Sequence, residues 1–399
     1  MKAIPHFAAI VSTLLLTASA VPACAQHYSQ FNLVANTAGV APTTDPNLVN
    51  PWGLSRSSGS PWWIADNGAG LSTLYNGAGG IIPLVVTIPK GDPNNATFPT
   101  GTPTGTVANG AAFDFLMAPS TPAAFLFSTI DGTIQAWNPT IGIPAGGSPP
   151  SKTATVMFKA TDGSSYTGLT SGYVRGRRVL YAANFTKGRV DFFDNAFHKI
   201  SLPAVSNGSG TVPAFTDDQL PPNYVPFNVQ AIGGDIVVTW VLLQPGNFFE
   251  TDGAGLGYVD IFTSSGQLIQ RLQHGDWLNA PWGVALAPLD FGLYSHALLI
   301  GQFAGGTTTN WGGTIAAYDL ASGAYLGPVE APNGKPLTIA GLWALSPGNG
   351  ATAANTNSYD PARTPGGEIY FTAGPNQGKD GLFGYLRPIN SELTEGNAQ

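Results

Sequence analysis

Apolar and polar residues alternate in short runs along this chain, and glycine or proline interrupts each run before it grows long. Thr133-Ile134-Gln135-Ala136-Trp137, Arg189-Val190-Asp191-Phe192-Phe193 and Tyr258-Val259-Asp260-Ile261-Phe262 send successive side chains to opposite faces, the period of a strand that packs on a neighbour. Each is preceded by a shorter, more uniformly apolar run: Phe125-Leu126-Phe127, Leu180-Tyr181-Ala182 and Val237-Val238-Thr239. The same pairing recurs at Trp63-Ile64-Ala65, Leu299-Ile300-Gly301 and Tyr370-Phe371-Thr372. Amphipathic helical periods are hard to find. The pattern predicts an all-β chain of many short strands.

A longer period organises these strands. Pro51-Trp52-Gly53-Leu54 returns as Pro281-Trp282-Gly283-Val284, with weaker copies at Asn109-Gly110-Ala111, Thr167-Gly168-Leu169, Phe227-Asn228-Val229 and Ala340-Gly341-Leu342. The copies lie about 55 to 60 residues apart, longer than the ~40 to 50 of familiar propeller repeats. Each opens a unit of four strands, so six units predict a six-bladed β-propeller of four-stranded blades. Five copies carry a glycine, Gly53, Gly110, Gly168, Gly283 and Gly341, expected where innermost strands crowd the axis. Fourth-strand candidates follow in five units, but none follows Arg387. The unclaimed run Phe31-Asn32-Leu33-Val34-Ala35 is expected to complete the last blade and close the ring, hiding edges that would otherwise template aggregation. One propeller domain is expected over 26–387, with a polar tail over 388–399.

Several motifs resemble an uncharacterised family of exported bacterial six-bladed propeller proteins. They include Asn47-Leu48-Val49-Asn50-Pro51-Trp52-Gly53-Leu54, Asp66-Asn67-Gly68 and Leu180-Tyr181-Ala182-Ala183-Asn184-Phe185. Leu278-Asn279-Ala280-Pro281-Trp282-Gly283 and Tyr370-Phe371-Thr372-Ala373-Gly374-Pro375 belong to the same likeness. Some members of that family carry a C-terminal PEP-CTERM sorting signal, which this chain lacks, and the family is distantly similar to NHL-repeat propellers. The resemblance implies the fold and carries no activity with it.

Composition narrows the setting. Lys2, an apolar run from Phe7 to Val21 and Ala23-Cys24-Ala25 form the pattern of a signal peptide over 1–25, with an exported, extracellular or periplasmic product beginning at Gln26. Val21-Pro22-Ala23-Cys24 loosely fits a lipoprotein signal, in which Cys24 would be acylated, although proline fits that site poorly. Cleavage after Ala25 removes the only cysteine and with it any disulfide. A net charge of −7 with 16 Lys and Arg argues against nucleic acid or an anionic membrane, and no second apolar segment predicts insertion. A monomer is expected, with a small molecule, a glycan or another protein as its partner.

No serine-hydrolase elbow, phosphate loop or zinc spacing occurs, and the histidines His27, His198, His274 and His296 are scattered. No catalytic residue is assigned. A ligand site is expected at the channel mouth, where first strands begin and second strands end. Asp66, Asn67, Thr129, Asn184 and Gln302 gather there, and Asn228 replaces the repeat glycine. For Asp66 and Asp131 the competing reading is hairpin turn chemistry. Two long loops on that face bear Phe249 and Trp311, aromatics suited to a sugar- or peptide-binding rim. The leading expectation is a non-enzymatic binding or scaffold propeller without cofactor. The alternative is a lactonase-like hydrolase or lyase that holds calcium or magnesium at the mouth. Such lactonases place a Glu there, and no Glu occupies a matching position.

Overall fold

A computed structural model describes residues 26–303, 313–348, 367–389 and 391–392. Six four-stranded antiparallel units follow one another around an axis. Their innermost strands are Pro51–Ser55, Pro103–Ala108, Tyr166–Val174, Tyr224–Ile232, Pro281–Leu286 and Leu342–Pro347, which define blades 1 to 6. The second and third strands expected from alternation all form, among them Trp62–Asp66 with Leu71–Tyr75 and Asp235–Leu242 with Tyr258–Thr263. The chain is a six-bladed β-propeller.

Ring closure also follows the sequence expectation. Leu342–Pro347, Ile369–Ala373 and Leu382–Pro388 supply three strands of blade 6, and Tyr28–Ala35 supplies the fourth. Tyr28 lies opposite Pro388 and Ala35 opposite Leu382, with a bulge between Asn32 and Val34. The seam has polar stitching as well. The Glu392 carboxylate accepts the His27 backbone N–H at 2.7 Å and lies 2.9 Å from its Nδ1, while the Ile389 N–H donates to the His27 carbonyl. Tyr28 carries the seam across to blade 5 through its N–H to the Glu330 carbonyl and its hydroxyl to the Phe291 carbonyl.

The blades meet face to face through large apolar side chains. Trp63 of blade 1 stacks on Phe125 of blade 2 at 4.1 Å between ring centroids and lies 4.7 Å from Trp137. Near the axis the backbones themselves approach. A Cβ at Gly53 would come 2.4 Å from the Thr104 carbonyl oxygen, and one at Gly105 would come 2.3 Å from the Leu169 nitrogen. No side chain fits there, so glycine is a steric requirement at these positions.

Strand register corrects two of the expected repeat glycines. Pro103 pairs with Thr129 as Pro51 pairs with Asp66, which places Gly105 in the position of Gly53. Gly110 lies beyond the strand, where an added Cβ meets nothing within 4 Å. In blade 6 Leu342 pairs with Ala373, so Ala344 takes the position and Gly341 is a turn residue with φ of +70°. The sequence motif had slid along the strand because glycine also serves in the adjoining loops.

Closure predicts the outcome of a deletion. Removing residues 26–36 leaves Leu382–Pro388 as an open edge lined by apolar side chains. The truncated protein should melt well below the intact one and self-associate on size-exclusion chromatography. A monomer with the parent melting temperature would refute the closing role of this strand.

Candidate functional site

The face formed by the starts of first strands and the ends of second strands is closed by aromatic side chains. Trp52, Trp282 and Trp343 are the second residues of the inner strands of blades 1, 5 and 6, and Phe227, at the bulge after Pro226, takes the equivalent place in blade 4. Trp52 stacks on Trp343 at 3.7 Å and meets Phe227, from the opposite side of the ring, at 6.4 Å. Trp282 meets Trp52 edge-on at 6.3 Å, and Phe303 stacks on Trp343 at 4.1 Å. Contact between opposite blades means that these rings fill the axis. Trp52 and Trp282 thus pack both on Trp343 of the adjacent blade 6 and across the channel.

Hydrogen bonds fix the plug. Trp282 Nε1 donates to the Thr167 carbonyl at 3.0 Å, across from blade 5 to blade 3, and Trp343 Nε1 donates to Asn50 Oδ1 at 3.0 Å. Asn228 belongs to this construction. Its Nδ2 donates to the Trp282 carbonyl at 2.7 Å, and its backbone N–H donates to Thr239 Oγ1 at 3.0 Å. Beneath the plug it borders an axial cavity of about 20 Å³, the size of one water, shared with Gln230 and Thr106.

Four of the expected mouth residues occupy one structural position. Asp66, Thr129, Asn184 and Gln302 each end a second strand opposite the first residue of the inner strand. The fold therefore brings them to one ring, yet each is fully buried and bonded inside its own blade. Asp66 Oδ2 accepts the Thr73 N–H at 2.9 Å, and Thr129 binds Thr133 and Asp131. Asn184 donates to Asp191 at 2.6 Å and to Ser164 at 2.9 Å. Gln302 accepts the Asn279 N–H at 2.8 Å and donates to the Ile300 carbonyl at 2.9 Å. Asn67, one residue past the ring, donates to the Pro103 carbonyl at 3.1 Å and ties blade 1 to blade 2. Burial holds the Asp66 carboxyl well above the usual range, and its Oδ1 is buried without a hydrogen-bond partner.

Further unpartnered polar groups lie at the loop from Gln244 to Gly257, which joins the second and third strands of blade 4. Phe248 and Phe249 are 89% and 77% exposed there, the latter as expected of a rim aromatic. Trp311 lies outside the described residues. Desolvation raises the Glu250 carboxyl to about 7, with Asp252 beside it adding repulsion, and raises Asp252 to about 6. Asp252 Oδ1 is buried and has no hydrogen-bond partner. Asn279, fully buried, accepts the Gly253 N–H through Oδ1 at 2.8 Å and leaves Nδ2 unpartnered. An unpartnered acceptor and donor thus belong to the same loop region as two exposed rings. Asn279 escaped notice as a site residue because it stands inside a repeat motif, Leu278-Asn279-Ala280-Pro281, where turn chemistry is the expected role. Among the described residues no group of three or more His, Cys, Asp or Glu is placed to hold a metal ion.

Two predictions follow from these environments. Asn228→Ala removes a buried donor and orphans the Trp282 carbonyl, which should cost about 1–3 kcal/mol in denaturant unfolding. An unchanged midpoint would separate Asn228 from the plug. Glu250 and Asp252 hold protons more tightly folded than unfolded, so their contribution favours the folded state at low pH. It is lost as pH rises from about 4 through about 7. The double variant Glu250→Gln, Asp252→Asn should flatten that part of the stability–pH profile, and a profile with the parent slope would contradict the assignment.

No family model matches the chain. Two uncharacterised proteins of Acanthamoeba polyphaga mimivirus are each 28% identical to it. One aligns over 355 residues, 89% of this chain and 78% of the relative, and the other over 360 residues, 89% and 84%. These relatives are viral, whereas the sequence motifs had implied a bacterial family. Among solved structures, an auxiliary nutrient binding protein from Bacteroides thetaiotaomicron aligns over 91% of this chain and 77% of its own, with a TM-score of 0.51 and 9% identity. Virginiamycin B lyase from Staphylococcus aureus covers 92% of this chain and 100% of its own at a TM-score of 0.43 and 12% identity. At such identities the likeness is one of fold: the chain is similar to β-propellers, and its chemistry must be argued from its own residues.

Proposed function

We propose that this chain is an exported, non-catalytic binding propeller that holds a glycan on the mouth loop of blade 4. The observation carrying this reading is the pairing of two exposed rings, Phe248 and Phe249, with the unpartnered Asp252 Oδ1 and Asn279 Nδ2 at the same loop. Sugar rings present apolar C–H faces and a rim of hydroxyls. Exposed aromatics receive the first, and a carboxyl with an amide receives the second. The polar ring below is fully buried and the axis is filled by the plug, which leaves the loops as the contact surface. The pattern over residues 1–25, a basic start, an apolar run and Ala23-Cys24-Ala25, supports the exported assignment.

One observation favours a second reading. A carboxyl raised to about 7, as in Glu250, is half protonated near neutrality and suits a general acid. Titration of cellohexaose, xylohexaose and maltohexaose against the protein separates the two. Binding of at least one without product is expected, and Phe248→Ala with Phe249→Ala should weaken it at least tenfold at an unchanged melting temperature. Product release abolished by Glu250→Gln would establish the second reading. Absence of binding to all three, or parent affinity in the double variant, would overturn the first.

A further inference from the structure

The opposite face of the propeller, where first strands turn into second strands, carries a cleft of about 410 Å³ between blades 2, 3 and 4. That volume is in the range of small-ligand sites. Its walls are Tyr173 and Arg178 from blade 3, Gly110 and Ala111 from the loop of blade 2, and the Gly233-Gly234 hairpin of blade 4. Tyr173 is 58% exposed, with its ring available at the rim.

Arg178 is built in. Its Nη1 donates to Asn109 Oδ1 at 2.9 Å and its Nη2 to Ser171 Oγ at 3.1 Å. Its guanidinium carbon lies 5.7 Å from the Phe115 ring centroid and 5.9 Å from that of Tyr173. Asn109 is itself locked, since Nδ2 donates to the carbonyls of Ala111, Asp114 and Ala123. Two of the five guanidinium N–H groups are thus spent on neutral acceptors, and Nε is buried without a partner. Among the described residues no carboxylate forms an ion pair with Arg178. Arg175 and Arg177 stand exposed on the same hairpin, and Asp235 is the acidic group in the wall. In a chain of net charge −7, Arg178 is the cationic residue that lines this cleft, and it is left without an ion pair.

We propose that this cleft is a second binding site, independent of the mouth loop, and that it takes a carboxylate-bearing sugar, a uronic-acid unit of an acidic glycan. The carboxylate meets the fixed guanidinium, whose planar fork matches its geometry, and the ring lies against Tyr173. Glycine walls leave width for that ring. An added Cβ at Gly110 or Gly234 meets nothing within 4 Å, and neither residue has a positive φ.

Those two glycines supply a test that spares the fold. Trigalacturonate and its methyl ester are titrated against the mature chain by calorimetry at low salt. The acid should bind, and the ester at least tenfold more weakly. Gly110→Leu and Gly234→Leu should each reduce affinity for the acid more than tenfold at the parent melting temperature. Arg178→Lys, which keeps the charge but loses the fork, should do the same. Phe248→Ala with Phe249→Ala should leave this binding unchanged, so failure here is distinct from failure at the mouth. Equal binding of acid and ester, parent affinity in either leucine variant, or no binding of trigalacturonate would overturn the assignment.

Discussion

The structure depends on six inner strands packed around an axis too narrow for an open channel. Where blades touch through their backbones, at Gly53 against Thr104 and at Gly105 against Leu169, a single methyl group has no room. Where the ring leaves space, Trp52, Phe227, Trp282 and Trp343 fill it from four blades. Burying such large rings supplies much of the driving force for bringing distant parts of the chain together, since each removes about 150–250 Å² of surface from water. Closure by Tyr28–Ala35 follows from the same constraint, because a ring packed across its axis holds together only if its last blade is complete.

This central packing dictates how polar residues are used. Two of the plug's indole N–H groups, those of Trp282 and Trp343, find acceptors on other blades at Thr167 and Asn50, the Trp282 carbonyl takes the Asn228 amide, and the Trp52 N–H is buried without a partner. The ring at the ends of second strands is equally committed. In blade 3, Asn184 hands its amide to Asp191, which also accepts Lys199 at 2.6 Å and Arg189 at 2.8 Å. Although burial opposes ionisation of Asp191, those three donors outweigh it and hold the carboxyl below its usual value. Buried polar groups in this protein are mostly members of closed networks, so the few with open valence stand out.

Three of these, Asp252, Asn279 and Arg178, lie at the periphery, on opposite faces. On one face Asp252 shares a loop with Phe248 and Phe249 and Asn279 holds that loop; on the other Arg178 sits beside Tyr173. Both arrangements place a rigidly held polar group next to an exposed ring, on loops and hairpins carried by a stiff scaffold. A plugged axis separates the two, so each face can evolve its contacts without disturbing the other.

The sequence by itself determined the propeller. Period-2 alternation, the return of Pro-Trp-Gly and the missing last strand required six blades and a closing N-terminus, since these are consequences of local geometry and of counting. It also identified the ring of Asp66, Thr129, Asn184 and Gln302, because a repeat places equivalent residues at equivalent positions. Only the tertiary structure decided what those residues do, as a hydrogen bond to a hairpin and one to a ligand require the same side chain at the same position. The register of Gly105 and Ala344 likewise needed strand pairing, and the axial role of Trp52 needed the opposite blade. Arg178 lay outside the repeat grammar altogether: its meaning comes from Asn109 and Gly234, 69 and 56 residues away in sequence, which only closure of the ring brings to its side.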